Sequence, residues 1–380
     1  MTLRLCVLVP AHWEALMGGS EYQAKVMIEF LLAKHEVEVV YLTAYDKPGF
    51  VPEGYSIVRF SDRRGLRRYG SFFDAFRLHG ALKRLKPDAI VQFVGCAHTG
   101  IAAFYAKHNR CRMIWRVTSD RHLLPERAAW WQVHRHIERL FLNYGIRNAH
   151  AIVAQTNNQR RMLIDGFGRD DAIVVANFHP MPPDLAGPRG EQRVIWIGNL
   201  NRTKNPAAFV RLAAKFSAFS DVKFTMVGAS NEDPWTQQQL GLIRSAPNVE
   251  YLGKLSQDQV NAVLARSTVL VNTSEHEGFA NTFIQAWLRQ VPVASLHVDP
   301  DGLLSRAGLG TVAGSEEQLA RDIARWLELP STERAALGAR CRAYATANHS
   351  ESNLATIARL LGAPATPDEE IAAPGREVAA

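Results

Sequence analysis

Cysteine is scarce in this chain. There are four in 380 residues, Cys6, Cys96, Cys111 and Cys341, with no CxxC pair and no histidine partner at metal spacing. That argues against a disulfide framework or a zinc ribbon and predicts reduced core thiols in a cytoplasmic protein. Long hydrophobic runs are also missing, since no apolar stretch approaches the roughly 20 residues needed to cross a bilayer. The segment Met1-Thr2-Leu3-Arg4-Leu5-Cys6-Val7-Leu8-Val9-Pro10 has too short an apolar run for a secretory signal and no small-residue cleavage site. It reads as a first strand. Zinc-finger spacing, an RNP motif and a helix-turn-helix signature are absent, so nucleic acid is not an expected partner. No metal motif is read in the strand-end loops. No metal is expected at the histidines between 128 and 147 either.

What is present is an ordinary folded composition, 47% hydrophobic and 21% charged, with length for two or three domains. The net charge of +7 is uneven: through Asp184 there are 25 Lys+Arg against 17 Asp+Glu, and beyond it 19 against 20. A basic first half points to a polyanionic partner.

The first half alternates strand and helix patterns, with strands at Leu5–Pro10, Val37–Leu42, Tyr55–Phe60, Asp88–Val94, Arg112–Val117, Ala151–Gln155 and Ile173–Ala176. Gly18-Gly19-Ser20-Glu21-Tyr22-Gln23 opens a helix, with Ser20 and Gln23 at capping-box spacing. The glycine pair serves either close ligand approach or simply a strand–helix turn. In residues 63–86, Arg63, Arg64, Arg67, Arg68, Arg77, Lys83, Arg84 and Lys86 interleave with Leu66, Tyr69, Phe72, Phe73, Phe76 and Leu82. This is either a basic amphipathic helix for an anionic membrane surface or a solvated helix whose aromatics face the core. In Thr118-Ser119-Asp120-Arg121-His122, after a strand, Asp120 and His122 are the acid/base candidates of this half; the alternative is a solvated loop.

Residues 177–192 turn polar and rich in Pro and Gly, a linker after which the alternation restarts. Arg193–Ile197 is followed by Gly198-Asn199-Leu200-Asn201-Arg202-Thr203-Lys204-Asn205-Pro206, a glycine turn with two cations and Pro206 at the first helical position. Val222–Val227 ends in Gly228, and Val249–Leu252 in Gly253-Lys254. The apolar run 268–272 leads into Glu275-His276-Glu277-Gly278-Phe279-Ala280-Asn281-Thr282-Phe283-Ile284-Gln285, where a strand becomes a helix. Such a turn sets acidic and amide side chains and unpaired N–H groups at a helix N-terminus, a seat for a diphosphate.

The second half resembles the retaining glycosyltransferases of family 4, the glycosyl transferases group 1, which have the GT-B fold. The resemblance is carried by the Gly198 loop with Lys204, by Asn248-Val249-Glu250-Tyr251-Leu252-Gly253, and by Glu277-Gly278-Phe279 followed by Arg289-Gln290-Val291-Pro292-Val293. The first half is similar more loosely, through Gly18-Gly19-Ser20-Glu21 and Pro87-Asp88-Ala89-Ile90. The family implies two Rossmann-like doubly wound domains facing a central cleft: residues 1–180 for the acceptor and 190–346 for the nucleotide-sugar. A helix within 347–362 would return to the first domain, and 363–380 would be a disordered tail.

The implied reaction transfers a sugar, with retention, from a nucleoside diphosphate sugar to an acceptor hydroxyl, without a metal or other cofactor. Lys204, helped by Arg202, would neutralise the diphosphate, which the Gly198 and Asn199 turn and the N–H groups of Gly278, Phe279 and Ala280 would also face, with Asn281 in the same donor site. Glu277 would contact the sugar hydroxyls, Gln285 the ribose, and Gly253, Lys254 and Leu255 the base. Gly18 and Gly19 fall on the acceptor side. The family's usual second carboxylate is Gln285 here, its Arg is Asn199, and its acceptor-domain histidine has no clean counterpart beyond Asp120 or His122. The expected acceptor is a saccharide or lipid-linked saccharide of cell-surface polysaccharide or glycolipid synthesis, and the expected location is cytoplasmic, peripheral at the inner face of the cell membrane. Alternatives are a GT-B nucleotide-sugar epimerase or a non-catalytic nucleotide-sugar-binding scaffold.

Overall fold

The computed structural model describes residues 2–61, 70–125, 129, 131–182 and 192–365. The basic residues Arg63, Arg64, Arg67 and Arg68, most of the linker and the tail from 366 lie outside that set. The chain forms two compact units: Met1–Phe178 with Glu351–Ala380, and His179–Ser350.

In the first unit, β1 (Leu3–Leu8), β2 (Val37–Thr43), β3 (Tyr55–Arg59), β4 (Ala89–Phe93), β5 (Arg112–Arg116), β6 (Ala151–Ala154) and β7 (Ile173–Val174) make one parallel sheet in the order β3-β2-β1-β4-β5-β6-β7. Leu5 sits opposite both Val39 and Ala89. The interior strands read as continuous apolar runs because both of their faces are covered. Strand alternation assigns the faces. Cys6 and Leu8 join one core with α2 (Ala75–Leu85), α3 (Ala97–His108) and α4 (Val133–Asn148). Leu5 and Val7 join the other, under α1 (Gly19–Lys34). A fifth helix, α5 (Asn157–Phe167), follows β6.

The last helix among the described residues, Ser352–Leu361, buries Leu354, Ile357, Ala358 and Leu361 in the Leu5 core, an i, i+3, i+4, i+7 stripe. It ends on Gly362 in the left-handed conformation.

The second unit repeats the plan. Strands β8 (Gln192–Ile197), β9 (Val222–Val227), β10 (Val249–Tyr251), β11 (Val269–Asn272), β12 (Val293–Ser295) and β13 (Gly310–Val312) lie parallel in the order β10-β9-β8-β11-β12-β13. Its helices are α6 (Pro206–Ala214), α7 (Pro234–Ser245), α8 (Gln257–Ala265), α9 (Asn281–Leu288), α10 (Leu303–Arg306), α11 (Glu316–Leu327) and α12 (Ser331–Asn348).

Three expectations need correction. The helix α1 is not capped by Ser20: its N-cap is Gly18, with no side-chain cap, and Gln23 instead makes a two-bond clasp with Phe178. The Nε2 group of Gln23 donates to the Phe178 carbonyl at 2.7 Å, and the Phe178 N–H donates back at 3.1 Å. This clasp also means that the expected linker begins inside the first core, where Arg116 donates to Asn177 at 2.9 Å. Lastly, residues 363–365 of the expected tail are ordered: the Glu36 N–H donates to the Pro364 carbonyl at 3.1 Å, and Ala365 bridges His35. Among the described residues, no helix is long and apolar enough to cross a membrane.

Candidate functional site

In the second sheet, β8 is flanked by β9 on one side and β11 on the other, so the chain reverses its winding direction between β8 and β11. In open α/β sheets, the loops at the carboxyl ends of the two strands at such a reversal form the ligand crevice. Both loops of the sequence-read donor site lie here.

Asn205 takes φ 45°, a left-handed conformation that asparagine tolerates, and turns the chain from Lys204 into Pro206 and α6. The Asn201 side chain accepts the Lys204 N–H at 3.0 Å and closes a single 3-10 turn over Arg202–Lys204. From the β11 loop, Thr273 Oγ1 donates to the Lys204 carbonyl at 2.7 Å while accepting from Trp196 Nε1 at 2.9 Å. The Glu275 N–H donates to the Thr203 carbonyl at 2.9 Å, and Asn205 Nδ2 to Glu275 Oε1 at 3.0 Å. The two loops are thus laced together by backbone and side-chain bonds.

At the centre, the Lys204 ammonium pairs with the Glu277 carboxylate, whose Oε1 also accepts from Ser274 Oγ at 2.8 Å. Both partners are partly solvent-accessible, so the pair can exchange one partner for a ligand. Arg202 holds its guanidinium 5.1 Å from the centroid of the Trp235 ring, a cation–π contact.

The neighbouring strand ends complete the rim. The Gly198 N–H donates to the Val227 carbonyl at 2.9 Å, and the Gly228 N–H to the Gly253 carbonyl at 2.8 Å. A Cβ on Gly228 would fall 1.8 Å from the Gly198 oxygen, so glycine is obligatory at that crossing. Gly253 has φ 66°, also a glycine position; Lys254 beside it is exposed and Leu255 half-buried.

The helix α9 begins at Asn281, with Ala280 as its N-cap, no side-chain cap and no acid in its first turn. The Phe283 N–H of its first turn donates to the Ala280 carbonyl at 3.0 Å, and Ala280 offers no side-chain cap. Gly278, Phe279 and Ala280 are buried at its start, with Phe279 packed on Trp287 and His349. Gln285 is buried too, and its amide donates to Gln257 Oε1 at 2.5 Å. Sequence reasoning missed Ser274, Thr273, Asn201 and Gln257. Of these only Asn201 had a local signal, an Asn three residues before Lys204 at capping spacing.

The first unit has its own winding reversal, between β1 and β4. After β1, the Glu21 carboxyl folds back onto the backbone N–H groups of Gly18 and Glu21, and burial pushes its pKa up to about 7 despite those bonds. After β4, Val94 has φ 67°, a strained conformation for a β-branched residue. Its carbonyl accepts from Gln92 Nε2 at 2.6 Å. Asp120 and His122 share one 3-10 turn after β5. Asp120 Oδ1 accepts from Gln159 Nε2 at 2.9 Å. His122 Nδ1 accepts the Gly95 N–H at 3.3 Å, which places its proton on Nε2. Burial, with Arg139 and Arg121 nearby, lowers its pKa to about 4, so the ring is neutral at ordinary pH.

Among the described residues, no three His, Cys, Asp or Glu side chains gather as a metal site. The D-x-D spacing of Asp299 and Asp301 sits in a turn after β12, where the Asp299 carboxylate accepts from the Leu304 N–H and from Ser305 Oγ, each at 2.8 Å.

Residues 17–179 match the family described as Glycosyltransferase Family 4, and residues 191–329 match Glycosyl transferases group 1. A sequence comparison with curated proteins finds no match. Among solved structures, sucrose-phosphate synthase from Thermosynechococcus elongatus aligns with a TM-score of 0.76 at 14% identity, over 98% of this chain and 100% of that one. HepE from Anabaena, solved in complex with UDP and glucose, gives 0.74 at 16% identity over 95% and 99% of the two chains. WaaG, a glycosyltransferase involved in lipopolysaccharide biosynthesis, gives 0.75 at 14% identity over 94% and 99%. With one family matched in each half and a GT-B architecture throughout, the chain belongs to the family 4, group 1 glycosyltransferases.

Proposed function

We propose that this glycosyltransferase moves a hexose from a nucleoside diphosphate sugar to an acceptor hydroxyl with retention, and that it works in cell-surface polysaccharide or glycolipid synthesis at the inner face of the membrane. The observation that carries the donor reading is the Lys204–Glu277 pair set beside the uncapped N-terminus of α9 at the β8/β11 reversal. When a diphosphate enters, Lys204 leaves Glu277 and neutralises the anion, with Arg202 as second cation and the α9 N–H groups completing the oxyanion contacts. Glu277, released but still bonded to Ser274, then accepts from sugar hydroxyls.

Leaving-group stabilisation comes from fixed charge and N–H dipoles, which need no reorganisation during the reaction. Gln285, already an amide donor to Gln257, holds the ribose diol as a neutral partner. Gly253, Lys254 and Leu255 border the base, and Gly198 and Asn199 the phosphates. In the first unit, neutral His122 with its proton on Nε2 serves the acceptor as a hydrogen-bond donor, and Asp120 orients it through the shared turn. Gly18 and Gly19 border the acceptor.

That HepE has been solved in complex with UDP-glucose, and that WaaG is involved in lipopolysaccharide biosynthesis, supports donor and pathway class, since both have the same fold. The test is a donor screen: UDP-, GDP- and ADP-sugars, with transfer to membrane-extracted acceptors followed by product release and by the anomeric proton coupling of the product. Binding of at least one donor and a product anomer matching the donor's is expected. If no donor binds, the donor reading fails; donor turnover to free nucleotide and an altered sugar without acceptor would identify an epimerase.

A further inference from the structure

On the face of the first unit away from α1, the helices α2, α3 and α4 leave an open pocket of about 480 Å³. That is a size typical of small-ligand sites. Its walls are Ala75, Phe76 and His79 from α2, Ile101 and Phe104 from α3, and Leu140, Phe141 and Tyr144 from α4. The sequence explains the gap. Gly100 and Gly145 bring α3 and α4 into backbone contact, since a Cβ on Gly100 would fall 2.2 Å from the Phe141 oxygen. Ala75 is too small to fill the space that remains beside α2.

Three side chains that core packing would bury stand in solvent instead: Phe76 is 93% exposed, Leu140 68% and Phe104 47%. An apolar patch of this kind marks a binding surface rather than a random exposed residue.

Basic residues lie on the helix ends beyond the pocket lining. The three helices each connect parallel strands, so they run in the same direction, and their last turns carry Lys83 and Arg84, Lys107 and His108, and Arg147. Going along the pocket, Phe76 and His79 lead to Lys83, while Phe104 leads to His108, whose ring centroid is 4.5 Å from that of Phe104. Burial holds His79 below its usual range, and Lys83 and His108 nearby add to the effect. An apolar trough with Lys83 and Arg84 on the last turn of α2 beside it is complementary to an anionic amphiphile.

We propose that the α2–α3–α4 pocket takes one hydrocarbon chain of an anionic membrane phospholipid, whose phosphate sits at the Lys83 and His108 end. The inference rests on the membrane-side reading given above and supplies its binding element from α3 and α4 as well as α2. The site is separate from the donor loops, so its occupation requires no nucleotide-sugar.

The test uses the full chain, calorimetric titration with dodecyl phosphate below its micellar concentration, and co-sedimentation with phosphatidylglycerol/phosphatidylcholine vesicles. Dodecyl phosphate is expected to bind and inorganic phosphate not to. Ala75→Phe, which fills the trough, and the surface change Leu140→Asp are each expected to weaken binding tenfold or more with unchanged melting temperature. Lys83→Glu is expected to weaken dodecyl phosphate binding at least threefold and leave decanol binding unaltered. Failure of dodecyl phosphate to bind overturns the inference, as does a stable dimer that dodecyl phosphate does not dissociate. If wild type and Ala75→Phe pellet equally with anionic vesicles, the pocket assignment falls while membrane association stands; if neither pellets, both fall.

Discussion

The two units share one topology yet treat their strand–helix turns in opposite ways. In the first unit the chain's own carboxylates occupy two helix N-termini: Glu21 folds onto the Gly18 and Glu21 N–H groups at α1, and Glu138 accepts the Ala97 N–H of α3 at 2.9 Å together with Ser71. In the second unit the corresponding turn at α9 has no side-chain cap and no acid in its first turn, and the nearby Glu277 is drawn instead to Lys204. A helix N-terminus filled by an internal carboxylate has little left for a phosphate, whereas an open one beside a lysine is an anion seat. The difference supports the proposed diphosphate seat in the second unit.

The comparison can be broken at several points. Lys204→Ala removes the cation and is expected to lower the transfer rate about 10²- to 10³-fold, as losing a fixed oxyanion partner does. Steady-state kinetics on any donor that turns over would check it, and a loss confined to one sugar would contradict a diphosphate role.

Glu21→Gln sharpens the other side. With a folded pKa of about 7 against 4.5 for the free side chain, the folded protein keeps a proton that the unfolded chain has lost between about pH 4.5 and 7. Stability is therefore full below about pH 4.5 and falls as pH rises through about 7, by about 3 kcal/mol at pH 8. Chemical denaturation of Glu21→Gln is expected to lose that pH slope. A slope identical to wild type would place the titrating group elsewhere.

Glu277→Gln keeps the Ser274 hydrogen bond but frees Lys204. It is expected to slow transfer about tenfold while binding nucleoside diphosphate no more weakly than wild type, because an internal competitor for the lysine has been removed. Weaker diphosphate binding in this variant would mean that Glu277 positions Lys204 rather than competing for it. Smallest of all is Ser20→Ala. A true N-cap would lose about 1 kcal/mol; with Gly18 in that place, the change is expected to stay within about 0.5 kcal/mol in a denaturant melt.

Much of the architecture was legible because it is written in local periodicity. The apolar runs at Leu5–Leu8 and Val269–Asn272, with glycine turns after β8, β9 and β10, announced parallel strands with loops at one edge. The Gly198 loop and the Glu277 turn were legible as separate phosphate-like turns. Their joining was not: Thr273 and Glu277 meet Lys204 only because β8 and β11 are neighbours in the sheet, a pairing that local sequence does not reveal. The capping box at Ser20 failed for a related reason. Gln23 fits the local rule, but its clasp on Phe178, 155 residues away, offers two hydrogen bonds inside the core. Three short elements also escaped notice: β13 and α10 are too brief to show a period, and residues 363–365 are held by contacts of Pro364 and Ala365 with His35 and Glu36.

The most direct test of the central claim is calorimetric binding of UDP, GDP and ADP beside the matching nucleosides, for the wild-type chain and Lys204→Ala. At least one nucleoside diphosphate is expected to bind the wild type and to lose tenfold or more in affinity on the substitution, while its nucleoside binds both proteins alike. Equal loss for diphosphate and nucleoside, or no loss at all, would contradict a diphosphate seat at Lys204.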